Sequence, residues 1–230
     1  MASRTELIVA LDVATLDEAA AVVHTLGDAV TWYKIGKQLF TRFGPAAVQT
    51  VKAAGKHVFL DLKFHDIPNT VAQAVRSAAS LGADITNVHA SGGRAMLKAA
   101  ADAARETGLI VLGVTVLTSM DAAELRAVGI TASPEEQVVR LARLAQAAGV
   151  PGVVCSALEI AALRQACGPD FLLVVPGIRP AGAAHDDQAR VMTPAEAARA
   201  GASYIVVGRP ILKAPSPAEA ARAIRRELNG

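Results

Sequence analysis

Between positions 61 and 70 the chain reads Asp-Leu-Lys-Phe-His-Asp-Ile-Pro-Asn-Thr, and its charged members are spaced for proton chemistry. Asp61 and Lys63 stand two residues apart, so on an extended strand both project from one face while Leu60 and Leu62 occupy the other. A carboxylate and an ammonium held this way in a poorly hydrated site keep one another ionised, because each supplies the counter-charge the other needs. A fixed ammonium stabilises a developing carbanion and can then protonate it, which is what loss of carbon dioxide without an electron-sink cofactor requires. The same spacing also serves as a purely structural ion pair. Beyond it, Pro68 sits where a helix begins, with Asn69 or Thr70 able to cap it. Capping accounts for Asn69 and Thr70 and leaves Asp66 unexplained.

Other charges also close apolar runs. Asp12 ends the first run, Lys34 lies in the second with Lys37 just beyond, and late in the chain come Pro176-Gly177-Ile178-Arg179-Pro180, Asp186-Asp187-Gln188 and Gly208-Arg209-Pro210. A glycine followed by an arginine after a strand lets backbone amides and a guanidinium approach an anion, so Gly208 and Arg209 fit a phosphate site. Gly92-Gly93-Arg94 has the same composition but reads more simply as a loop-to-helix turn.

Positioning these residues falls to eight apolar, β-branched-rich runs: 7–11, 32–35, 58–62, 85–88, 110–116, 153–155, 172–175 and 204–207. Their spacings of 20 to 42 residues match strand-plus-helix units. Ala-rich, helix-favouring segments lie between them, among them 16–26, 69–80, 94–107, 134–148, 157–166, 194–200 and 217–228, with a further helical stretch near 121–127. Continuously apolar strands belong to a parallel sheet covered by helices, and eight such units predict a compact (β/α)8 barrel occupying residues 1–230 as one domain. An open doubly wound sheet is the alternative, but the turn after the first run, Leu11-Asp12-Val13-Ala14-Thr15, has no glycine to make its dinucleotide fingerprint. In a barrel the ends of the strands carry the chemistry, which is where the charges cluster.

Composition removes other classes. With 23 Lys and Arg against 21 Asp and Glu, and only 3% aromatic residues, the chain lacks a cationic, base-stacking surface for nucleic acid. At 52% hydrophobic residues it has ample material for a core. The longest apolar runs are about half of the roughly 20 residues a membrane helix needs. No signal-peptide pattern opens the chain, and two cysteines, Cys155 and Cys167, make no disulfide framework, so a reducing cytoplasm is the expected setting. The five histidines form no close metal-ligand pattern, and neither metal nor cofactor is expected.

The stretch DLKFHDIPNT at 61–70, with ALDVAT around Asp12, YKIGKQLF around Lys34, LTSM at 117–120, PGIRP at 176–180, DDQARVMTP at 186–194 and IVVGRPI at 205–211, closely resembles bacterial orotidine 5'-phosphate decarboxylases. The likeness runs from residue 7 to 213. The D-x-K-x-x-D core is shared with other phosphate-binding barrels, including magnesium-dependent sugar-phosphate decarboxylases and aldolases, whereas Ile67-Pro68-Asn69-Thr70 and the later motifs are more specific. The resemblance implies conversion of orotidine 5'-phosphate to uridine 5'-phosphate, the last step of UMP biosynthesis. Under it, Lys63 protonates C6 of the pyrimidine, Asp61 lies beside the departing carboxylate, and Lys34 and Asp66 complete an alternating Lys-Asp-Lys-Asp chain. Asp66 and Thr70 reach the active site of the other subunit of a homodimer. Asp12 and Lys34 contact the ribose hydroxyls, Thr118 the pyrimidine region, and Arg179, Gln188, Gly208 and Arg209 the phosphodianion, over which residues 178–190 close. A non-catalytic nucleotide-binding barrel is the alternative from another class, and it has no use for a proton donor at Lys63.

Overall fold

All eight apolar runs become strands, and the helix-favouring segments between them return the chain to the start of the next. The computed structural model describes residues 5–180 and 192–229. Its strands are β1 (Glu6–Ala10), β2 (Trp32–Gly36), β3 (His57–Phe64), β4 (Ile85–His89), β5 (Ile110–Val114), β6 (Gly152–Val154), β7 (Leu172–Pro176) and β8 (Tyr204–Val207). They pair in parallel in sequence order, and β8 pairs with β1, closing the (β/α)8 barrel. The fifth strand is shorter than its apolar run, since Thr115 and Val116 leave the ladder, and the third is longer, continuing through its charged residues to Phe64.

The helices are α1 (Leu16–Leu26), α2 (Lys37–Phe43), α3 (Pro45–Lys52), α4 (Pro68–Ser80), α5 (Gly93–Thr107), α6 (Ala122–Ala127), α7 (Pro134–Ala147), α8 (Ile160–Cys167), α9 (Pro194–Ala200), α10 (Arg209–Leu212) and α11 (Pro217–Glu227). Three of them start with the same device. Thr15, Ser133 and Thr193 each cap α1, α7 and α9 while a glutamate three residues on, Glu18, Glu136 or Glu196, reaches back to the cap backbone. This reciprocal pairing satisfies amides that a helix start otherwise leaves open. The start of α4 differs from the sequence expectation. Its N-cap is Ile67, and Asn69 and Thr70 lie inside the helix, because Pro68 already occupies the first helical position with its φ preset.

Apolar side chains divide into two layers. Leu7, Val9, Tyr33, Ile35, Val58, Leu60, Val111, Val153 and Val207 face outward to the helices, where buried alanines such as Ala19, Ala47, Ala100, Ala142 and Ala197 allow close approach. Ile8, Ala10, Phe59, Ile85, Leu112, Val174 and Val206 form a separate cluster inside the barrel. The strict alternation of each strand produces this division. At the barrel's N-terminal end Asp84 accepts hydrogen bonds from the Val58 amide and Lys52 and pairs with His57, while Trp32 stacks on the His57 ring at 4.5 Å. That end is thus closed by packing and ion pairs, leaving the other for ligands.

Gly152 lies hard against the neighbouring strand: it pairs with Leu172, and a Cβ there would overlap that residue's side chain and carbonyl oxygen. Gly152→Ala is expected to destabilise the protein by roughly 1–3 kcal/mol, read as a fall in apparent Tm of about 2–10 °C. An unchanged melting curve would show that β6 and β7 separate at little cost.

Candidate active site

Along β1 to β4 the barrel lining turns polar toward the C-terminal ends of the strands. Ile8 and Ala10 lead to Asp12, Trp32 to Lys34, Phe59 to Asp61 and Lys63, and Ile85 to Asn87. The geometry joins four of the charges in an alternating row. Lys34 Nζ lies 3.4 Å from Asp12 Oδ1 and 3.5 Å from Asp61 Oδ2, and Lys63 Nζ lies 2.5 Å from Asp61 Oδ1. Gly36 leaves space for this row, because a Cβ at that position would stand 3.1 Å from Lys34 Nζ.

Asp61 is the hub, with its side chain only 12% exposed. Burial by itself raises a carboxyl's pKa; here the ammonium groups of Lys34 and Lys63 and hydrogen bonds from Lys63 and Asn87 outweigh it and hold Asp61 below the usual carboxylate range. A buried charge is tolerated only when paired and hydrogen-bonded in this way.

Lys63 reaches its place through a backbone irregularity. In the pairing of β3 with β4, Leu60 lies opposite Thr86 and Phe64 opposite Val88, so four steps on one strand meet two on the other. The surplus of two residues bulges toward the barrel mouth while preserving the alternation, and Asp61 and Lys63 stay on the inner side. Lys63 has φ 55°, and among the described residues it is the one non-glycine with positive φ. Such a conformation costs roughly 1–3 kcal/mol and persists where surroundings enforce it. Its amide, lost to the ladder, donates to Asn87 Oδ1 at 2.8 Å, and Asn87 Nδ2 donates to Asp61 Oδ1 at 2.7 Å. Asn87 is fully buried. In the sequence it lies within the apolar run 85–88, and its signal is an amide at an inward position of a run otherwise made of Ile, Thr and Val.

A cavity of about 210 Å³ opens beside this row, lined by Lys34, Asp61 and Lys63 on one side and by Phe59, Val114, Val154 and Val206 elsewhere. Thr118, itself exposed, and Cys155, a buried thiol whose pKa burial pushes up, also border it. Gly208 follows β8 and abuts Ala10 and Asp12, and Arg209 opens α10. Arg179 is buried: its backbone amide donates to the Met192 carbonyl and Nη1 to the Ile178 carbonyl, and its Nε has no partner among the described residues.

Asp66 and Thr70 stand apart from the row. Residues 65–70 are all exposed, Ile67 at 67%, and Asp66 Oδ1 accepts the Ile67 amide. Among the described residues the alternating row therefore ends in Asp12 rather than Asp66. His65 and His89 face each other at 5.3 Å. Burial, then His65 and the ammonium groups of Lys37 and Lys63, hold His89 below the usual imidazole range. Gln188, and residues 181–190 of the segment expected to close over a phosphate, lie outside the described residues. Gly93 begins α5, so Gly92-Gly93-Arg94 forms the expected loop-to-helix turn.

Residues 5–224 match the sequence profile of the orotidine 5'-phosphate decarboxylase / HUMPS family. The chain is 54% identical to orotidine 5'-phosphate decarboxylase of Moorella thermoacetica, over 99% of this chain and 94% of that protein. It is 58% identical to the protein of that name from an Anaeromyxobacter species, over 95% and 96%. The crystal structure of orotidine 5'-phosphate decarboxylase from Lactobacillus acidophilus superposes with a TM-score of 0.88 at 38% identity, covering 99% of this chain and all of that one.

Because Asp61 titrates below its unfolded value, its contribution to stability is complete above the unfolded value and disappears as pH falls through the folded one. Lys34→Met, which removes one of its two ammonium partners, is expected to raise the Asp61 carboxyl titration followed by ¹³C NMR and to move acid unfolding to higher pH. An unshifted Asp61 resonance would separate Lys34 electrostatically from the row.

Proposed function

Since the chain belongs to the orotidine 5'-phosphate decarboxylase / HUMPS family, we propose that it converts orotidine 5'-phosphate to uridine 5'-phosphate and carbon dioxide, the last step of UMP biosynthesis, as one barrel domain spanning 1–230. The observation that carries this reading is the ammonium of Lys63, held on Asp61 Oδ1 at one wall of a cavity whose other lining is mostly apolar. The pyrimidine enters that cavity with its carboxylate toward Asp61 and C6 toward Lys63. The C6–carboxylate bond breaks with its electron pair left on C6, and carbon dioxide departs. Lys63 stabilises that pair and then donates a proton to C6; solvent returns the proton to the amine. A charge fixed before the reaction needs no reorganisation when the carbanion forms, and the apolar walls increase its effect. No cofactor takes part.

The remaining roles belong to the same reading. Lys34 holds Asp61, and with Asp12 it binds the ribose hydroxyls, which the exposure of Asp12 at the cavity mouth favours. Thr118 borders the pyrimidine. Arg179, Gln188, Gly208 and Arg209 take the phosphodianion; the buried Nε of Arg179, without a partner among the described residues, supports its part. Binding energy from that remote group can be used to hold the reacting atoms in place. Asp66 and Thr70 serve the partner's site in a homodimer, a reading supported by the exposed carboxylate and the exposed Ile67 beside it. The working place is the cytoplasm; among the described residues no helix is long and apolar enough to cross a membrane.

The purified protein is expected to consume orotidine 5'-phosphate with no added cofactor, followed by loss of orotate absorbance, at a rate that EDTA leaves unchanged. Absence of turnover by the folded protein overturns the reading, and loss of activity in EDTA favours a magnesium-dependent relative. Lys63→Ala and Asp66→Asn proteins, each inactive, are expected to regain about a quarter of wild-type activity after subunit exchange, since half the dimers become mixed and each carries one intact site. Exchanged mixtures that stay inactive would assign Asp66 to its own subunit.

A further inference from the structure

We propose that Asn87 is a positioning residue for proton transfer, a single amide that fixes Lys63 and Asp61 relative to each other. The inference rests on the decarboxylase reading and adds to it a residue that touches neither substrate nor product. Asp61 as a carboxylate only accepts, and the Lys63 backbone N–H only donates, so the amide can satisfy both in one orientation alone, Nδ2 toward Asp61 and Oδ1 toward Lys63. Both bonds are short and the side chain is fully buried, so no water competes for either.

Its position explains why the amide is needed. The surplus residues of β3 leave the Lys63 amide without a ladder partner, and the positive φ of Lys63 turns its side chain back over Asp61. Asn87 supplies the missing acceptor and at the same time occupies an Asp61 oxygen, the one that also receives Lys63 Nζ. The Lys63 ammonium is therefore located from two directions, through its own backbone and through the carboxylate it pairs with. Removing the amide frees both, leaving Asp61 to Lys34 and Lys63 alone.

Steady-state kinetics, thermal unfolding and ¹³C NMR of Asp61 test this on the full chain. Asn87→Ala is expected to lower kcat about 100-fold, the scale of a 1 Å misplacement, with KM changed less than about threefold, since uniform binding is left intact. The acid limb of kcat/KM is expected to move to higher pH, because a hydrogen bond to the charged form of Asp61 has been lost. Asn87→Asp keeps the acceptor for Lys63 but sets a second carboxylate against Asp61, and is expected to move that limb further. In an Asp61→Ala background the Asn87→Ala change is expected to cost clearly less than about 100-fold, since only the bond to the Lys63 amide is then left to lose. If Asn87→Ala fails to unfold cooperatively, Asn87→Ser carries the same measurements, its hydroxyl being too short to span both partners. A lowered Tm with unchanged kcat and an unmoved limb would make Asn87 merely structural and overturn the proposal. Should the wild type prove inactive on orotidine 5'-phosphate, the decarboxylase reading falls by itself; an Asp61 NMR titration unshifted in Asn87→Ala then overturns the clamp as well.

Discussion

A carboxylate set into the wall of an apolar barrel survives as an anion only where cations and donors surround it, and Asp61 has two ammonium groups and an amide. Much else in the site follows from that requirement. Lys34 and Lys63 must both point inward, so β2 places Lys34 two positions after the inward Trp32 and β3 places Lys63 four positions after the inward Phe59, even steps that keep each on the inner face. Asp12 then balances Lys34 from just beyond the end of β1, and the row of two cations and two anions carries no net charge. Neutrality within the row lowers the cost of seating it above the apolar interior.

The composition suits this arrangement. Few aromatic residues and many alanines give thin helices that approach the sheet closely, so the barrel closes with short connections. Its lower end is fastened by Asp84, His57 and Trp32, a separate set of contacts from those at the mouth. Stability and chemistry thus occupy opposite ends, and the strand alternation that packs the helices outside also determines which residues meet inside.

Much of this was legible in the sequence for a simple reason: a period of two does not depend on tertiary context. From DLKF alone, Asp61 and Lys63 share a face, and the ends of the apolar runs mark where a barrel binds its ligands. The caps at Thr15, Ser133 and Thr193 have the same local character. What could not be read depends on contacts between distant segments. The partnership of Asn87 with Lys63 and Asp61 spans 24 and 26 residues, and the positive φ of Lys63 arises from a mismatch between two strands that neither strand encodes by itself. Helices α2 and α3 escaped notice because Gly44 and Pro45 break their pattern into two short pieces. Asn69 and Thr70 do not cap α4 because Pro68 takes the helix start first.

The two surplus residues in β3 also govern how this segment can change length over evolutionary time. Deleting or inserting one residue between Leu60 and Phe64 would exchange the inner and outer faces, burying the charges against the helices and sending leucine or phenylalanine into the mouth. A two-residue change would leave the pattern of faces readable but remove or duplicate the bulge itself. Chain length at this point is therefore constrained in even steps, and drift in the number of residues must be absorbed elsewhere, in the loops that precede the strands.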